Sequence, residues 1–69
     1  MPILRIREIR DMSSEERRRR LADLKAELIR LRTMVKAGGT IENPSRIREI
    51  RKTIARILTV ENEERRRRQ

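Results

Sequence analysis

The feature that most restricts this chain is where its helix breakers fall. The only glycines are Gly38 and Gly39 and the only internal proline is Pro44, so every strong stop lies in one short stretch between two uninterrupted runs. Two long helices joined by one turn follow. Upstream, Leu21, Leu24, Leu28, Leu31 and Val35 recur at spacings of 3, 4, 3 and 4; downstream, Ile47, Ile50, Ile54 and Ile57 recur at 3, 4 and 3. On a helix each set forms one narrow apolar seam. The expected fold is all-α: a long antiparallel, coiled-coil-like two-helix hairpin with the Leu seam against the Ile seam.

Local signals set the boundaries. Ser13 and Glu16 have capping-box spacing, so the first helix is expected over about 14–37. Gly38 suits a left-handed stop, and Asn43 can cap a second helix with Pro44 in its first position, over about 44–61 after a loop at 38–43. The hairpin thus occupies 13–60. Within residues 1–12, Ile3 to Arg10 permits either a short helical turn through Ile6 and Ile9 or an extended arm, and the sequence leaves both open. Residues 62–69, ending in Arg65 to Arg68, read as a frayed helix end or flexible basic tail. One buried interface between two helices leaves much side chain exposed, so the free hairpin is expected to be marginally stable.

Composition removes whole classes of chemistry. The chain has no Cys or His and no aromatic residue, so zinc sites, disulfides and His-based catalysis lack their groups, and no cofactor or metal is expected. The carboxylates Asp23 and Glu27, one helical turn apart among Lys and Arg, read as surface ion pairs rather than an acid–base couple. An enzyme with a small-molecule substrate is therefore not expected. The first residues lack a secretory h-region, and no apolar run approaches the length of a membrane span, so the reading is a soluble intracellular protein with no membrane partner.

What remains is charge. Lys and Arg number 20 against 11 Asp and Glu, a balance of +9. On a wheel the downstream helix sets Arg48, Lys52, Arg56 and Thr59 away from the Ile seam with Ala55 beside them. Solvated exteriors usually mix both signs, and this face scarcely does, so phosphate binding is weighed above solvation. Upstream, Arg17 to Arg20 form a second cluster. Arg19 and Arg20 follow Glu15 and Glu16 by four residues and can pair with them, whereas Arg17 and Arg18 have no such acid and are assigned to RNA. Ala22, Ala26, Ile29 and Thr33 make a small uncharged strip away from the Leu seam, suited to a protein or RNA contact. Without aromatic residues the chain cannot stack splayed bases, so the favoured target is a folded, phosphate-dense RNA.

The run Asn43-Pro44-Ser45-Arg46-Ile47-Arg48-Glu49-Ile50-Arg51-Lys52-Thr53-Ile54-Ala55-Arg56-Ile57 closely resembles the signature of the universal L-twenty-nine family of large-subunit ribosomal proteins. Leu24-Lys25-Ala26-Glu27-Leu28, followed by Leu31-Arg32, resembles that family's first helix. Arg7 to Met12, the Gly38-Gly39 turn and Glu42-Asn43-Pro44 are similar to its archaeal branch. The resemblance implies a non-catalytic helical hairpin on cytoplasmic ribosomes. It also implies binding to large-subunit ribosomal RNA near the nascent-peptide tunnel exit, beside another ribosomal protein. By the same resemblance Arg48, Lys52, Ala55 and Arg56 match positions presented to RNA. Arg46 and Arg51 flank the seam and can reach either RNA or the partner helix. The Arg65 to Arg68 run matches no motif of the family, and its default role is to raise nonspecific RNA affinity through counterion release.

The alternative is a helical dimerisation or interaction module, because strict 3,4 spacing is also how two chains form a coiled coil. The glycine pair opposes it, since a parallel dimer favours one continuous helix.

Overall fold

The computed structural model describes residues 3–40 and 43–68, and within them the chain is wholly helical: α1 (Ile6–Asp11), α2 (Ser14–Lys36) and α3 (Ser45–Arg67). Met1 and Pro2 of the arm, residues 41 and 42 of the loop, and Gln69 lie outside the described residues. The arm resolves in favour of a short helix, whose start is tied by the Arg5 amide donating to Glu8 Oε1 at 3.2 Å. It ends where Met12 and Ser13 both take extended backbone, which turns the chain before α2 begins.

Ser13 caps α2, its hydroxyl accepting from the Glu16 amide at 3.1 Å, so this half of the capping box forms. At the other end the stop is a Schellman motif: Gly38 sits at φ +85°, its amide donates to the Val35 carbonyl at 3.0 Å, and the Gly39 amide donates to Met34 at 2.9 Å. Only a residue without a Cβ takes that φ cheaply. Pro44 enters helical geometry at φ −60° and ψ −27°, as its fixed ring allows. Asn43 does not cap with its side chain. Its Oδ1 instead accepts from the Ser45 hydroxyl, while its carbonyl accepts from the Arg46 amide at 3.0 Å.

α2 and α3 form the expected antiparallel hairpin, elongated to 46 × 21 × 16 Å. The core joins Leu24 and Leu31 of α2 to Ile50, Ile57 and Val60 of α3, with Leu21, Leu28, Ile47 and Ile54 half-buried against it. Leu4 and Ile9 complete the cluster from the N-terminal side. Because α1 packs on α3 beside α2, the buried stripe of α3 is wider than one seam and takes in Thr53 and Val60. Thr53 is tolerated there because its hydroxyl donates to the Glu49 carbonyl at 2.8 Å.

Two expectations are corrected. Val35, placed in the seam by its spacing, is 50% exposed. Arg17 faces Glu61 and Glu64 while Glu27 faces Arg46, and in that antiparallel register the position opposite Val35 falls at or before the first turn of α3. The second correction concerns the end of α3, which runs on to Arg67 rather than stopping near residue 61. Val60 is buried, Glu61 and Glu64 are held by Arg17, and Glu63 meets Arg10 at 3.4 Å. Of the residues expected to form a loose tail, Glu63 and Glu64 are thereby tied to α1 and α2.

Candidate nucleic-acid interface

The face of α3 opposite its buried stripe carries Arg48, Arg51, Lys52, Ala55 and Thr59, all exposed. Its first turns form a shallow groove lined by Pro44, Ile47, Arg48, Arg51, Lys52 and Ala55. Ala55 keeps the middle of that face low, so a phosphate backbone can approach between the flanking cations. Among the described residues neither Arg48 nor Arg51 has a carboxylate within ion-pair distance, and Lys52 has only Glu49 at 4.0 Å. Contacts of that length at exposed positions are worth little and leave the ammonium open to an outside anion. Thr59 donates its hydroxyl to the Ala55 carbonyl at 2.8 Å, so toward an outside partner it offers mainly an acceptor.

Arg56 lies between this face and the core. It is half-buried, and its Nη1 is enclosed with no hydrogen-bond partner among the described residues. An enclosed donor without an acceptor costs about 1–3 kcal/mol.

Two residues assigned to RNA from the sequence are engaged inside the chain. Arg46 makes a two-pronged pair with Glu27 of α2, Nε to Oε1 at 3.0 Å and Nη2 to Oε2 at 3.3 Å. Of its two readings, the contact with the partner helix is made, and its side chain stays 42% exposed. Arg17 is the larger correction: it is 1% exposed, the largest fully buried side chain among the described residues. Its Nε donates to Glu61 at 2.6 Å, its Nη2 pairs with Glu64 at 2.6 Å, and its Nη1 donates to the Ile9 carbonyl at 3.2 Å. One guanidinium thus ties α1, α2 and α3 together and has no face left for RNA. Burial by itself lowers the Arg17 pKa, and the hydrogen bonds and charges of Glu64 and Glu61 outweigh it, holding the group above its ordinary value. A cation so raised contributes stability below its unfolded pKa and loses it only as pH climbs through the folded one. Both values lie at strongly alkaline pH, so Arg17 is a fixed charge throughout the physiological range.

The sequence carries a signal for this joint. Arg17 lies one heptad before Leu24, and Glu61 and Glu64 continue the Ile seam after Ile57 at spacings of 4 and 3. Both seams therefore run on into charged residues of opposite sign. The rest of the upstream cluster stays outside: Arg18, Arg19 and Arg20 are exposed, Arg19 reaching Glu15 at 3.6 Å and Arg18 the Ser14 hydroxyl at 3.5 Å.

With this geometry in place, comparison with known proteins decides the family. The family model described as Ribosomal L29 protein matches residues 7–63. The chain belongs to that family. Among its relatives, the large ribosomal subunit protein uL29 of Methanothrix thermoacetophila is 60% identical over 63 residues, covering 91% of this chain and 94% of that protein. The counterpart in Haloarcula marismortui is 53% identical over 64 residues (93% and 90%), and that of Methanocaldococcus jannaschii 52% over 66 (96% and 94%). All three are archaeal, in line with the branch the turn residues resemble. Membership of the L29 family makes this a ribosomal protein of the large subunit, acting on the cytoplasmic ribosome, and that class is structural rather than catalytic. Among the described residues no helix is long and apolar enough to cross a membrane. The matched span includes the whole outer groove of α3 and stops before Arg65 to Arg68.

Proposed function

We propose that this protein is a structural constituent of the large ribosomal subunit that binds folded ribosomal RNA near the nascent-peptide tunnel exit. The observation that carries the reading is the outer face of α3, where Arg48, Arg51 and Lys52 stand exposed around Ala55 with a single weak internal contact, Lys52 to Glu49. Such a face binds by neutralising phosphates and releasing counterions, and without aromatic residues it reads shape rather than splayed bases. Arg56, half-buried at the edge of the same surface, adds a further guanidinium there. Arg18 adds a cation from α2, so phosphates from separate RNA segments are held by one rigid hairpin. A neighbouring ribosomal protein at the tunnel exit completes the environment, and the strip of Ala22, Ala26, Ile29 and Thr33, with Ile29 66% exposed, has the character to meet it.

The dimerisation reading loses its basis, because the Leu and Ile seams are already packed against each other within one chain. Sedimentation of the tagged protein from cell extract on sucrose gradients tests the proposal. Cofractionation with large subunits that survives a moderate salt wash is expected. A position near the top of the gradient while ribosomes stay intact would overturn it.

A further inference from the structure

We infer that the end of the hairpin away from the loop carries a second phosphate-binding site, made by Arg18 of α2 with Arg65 and Arg68 at the end of α3. This rests on the RNA-binding reading above and extends it from Arg18 to Arg65 and Arg68, which lie outside the span matched by the family.

The three arginines border one concavity. Ser14, Arg18, Glu61, Glu64, Arg65 and Arg68 line one polar depression between the first turns of α2 and the last turns of α3. Its two carboxylates face inward, both paired with the buried Arg17 at 2.6 Å. Glu61 also accepts from the Ser14 hydroxyl at 3.4 Å, and that hydroxyl accepts from Arg18 at 3.5 Å. Among the described residues Arg18, Arg65 and Arg68 have no carboxylate in ion-pair distance and are all exposed. With Arg17 included, four guanidiniums meet two carboxylates, an excess of two positive charges in one concavity. Cations in the last turn of a helix also complement its dipole, which accounts for Arg65 being tolerated there. The dipole does not account for an arginine from another helix meeting it across a depression. Guanidiniums in a fixed arrangement suit phosphate oxygens, which they grip through paired N–H groups.

The site depends on α3 being continuous to Arg67. A loose tail would spread its arginines over solution and give only the nonspecific attraction expected of a basic run. Here Val60, the Arg17 joint and the Arg10–Glu63 pair tie α3 down as far as Glu64, and the helix continuing to Arg67 carries the arginines to the edge of the depression that Arg18 also lines. Arg65 is 17 residues beyond Arg48, about 26 Å along the axis and about 100° around it. That separation exceeds a Debye length of about 8 Å at physiological salt, so the two sites engage different phosphates and act independently. The hairpin becomes a strut that grips RNA at both ends.

The test is the salt dependence of binding to large-subunit ribosomal RNA freed of protein. Four full-length variants are compared with the unaltered chain: Arg18→Ala/Arg65→Ala/Arg68→Ala at the pole, Arg48→Ala/Arg51→Ala/Lys52→Ala on the outer face, their combination, and Arg7→Ala/Arg30→Ala/Arg32→Ala as a charge-matched control at exposed positions. Alanine favours helix at all of them, and circular dichroism checks that the fold is kept. The pole variant is expected to bind roughly tenfold or more weakly than the control variant, to lose about two units of salt slope, and to multiply its loss with that of the face variant. Equal binding by pole and control variants, with the face variant impaired, would overturn the second site and leave the main interface standing. Unimpaired binding by both the pole and face variants would overturn the RNA-binding reading itself.

Discussion

The hairpin interface has two unlike stretches built on one period. From Leu21 to Leu31 and from Ile47 to Ile57 the seams are aliphatic, and they pack as any apolar stripe does. One heptad further from the loop the same positions hold a buried Arg17 against the half-buried Glu61 and Glu64, each at 2.6 Å. The aliphatic stretch supplies non-directional stabilisation from water exclusion, and several registers would satisfy it. The ionic stretch adds little net stability, because desolvating charges offsets much of their attraction, yet it is satisfied only when three particular residues meet. Its geometry also reaches the Ile9 carbonyl, so it fixes α1 at the same time. Aliphatic length holds the helices together, and the charged end sets where they stop sliding.

Substitutions sharpen that contrast. The largest effect is expected from Ile57→Asp, which puts an unpaired carboxylate at a position with no exposure and costs about 4 kcal/mol or more, abolishing the cooperative thermal transition seen by circular dichroism. Arg17→Ala follows, at about 3 kcal/mol, since it strands two carboxylates and removes a packed stem. The companion triple Arg17→Met/Glu61→Leu/Glu64→Leu is expected to regain most of that stability in urea melts while loosening the register, read as faster amide exchange in α1. If the triple kept α1 as protected as before, the registering role of the ionic end would be wrong. Ser13→Ala removes the cap on the Glu16 amide and should lower the melting free energy by about 1 kcal/mol. The smallest effect belongs to Val35→Ala, at about 0.5 kcal/mol or less, against about 2–3 kcal/mol for Leu31→Ala. Equal losses at the two sites would restore Val35 to the core.

The hairpin itself was legible because its signals are local: a 3,4 repeat, one cap at Ser13, one glycine stop at Gly38. Those depend on neighbours in the chain and survive without knowledge of the tertiary structure. Arg17 is hidden from the sequence because a charged residue in a run of four arginines reads as exposed. Its acids come not from four residues upstream but from the far end of the other helix, 44 and 47 positions away in sequence. Continuing each seam past its last aliphatic residue would have found the joint, since Arg17, Glu61 and Glu64 keep the period. The extension of α3 to Arg67 escaped for a related reason: a string of Glu and Arg reads as frayed when taken alone and is ordered here by partners on α1 and α2. Arg46 flanks the seam and so is open to RNA or the partner helix, and the position of Glu27, remote in sequence, brings about the helix contact. On the outer face competition is weak, Lys52 meeting only Glu49 at 4.0 Å; Arg48, Lys52, Ala55 and Thr59 lie exposed where the wheel puts them, Arg51, read as flanking the seam, is exposed beside them, and Arg56 is half-buried toward the core.

We propose that this outer face, rather than total charge, fixes the protein to its RNA. The most direct measurement coexpresses the unaltered chain with an Arg48→Ala/Lys52→Ala variant of equal helicity and compares their proportions in purified large subunits by mass spectrometry. The variant is expected to be under-represented by roughly tenfold or more, while the control Arg30→Ala/Arg32→Ala competes as an equal. Equal incorporation of the face variant would contradict the claim.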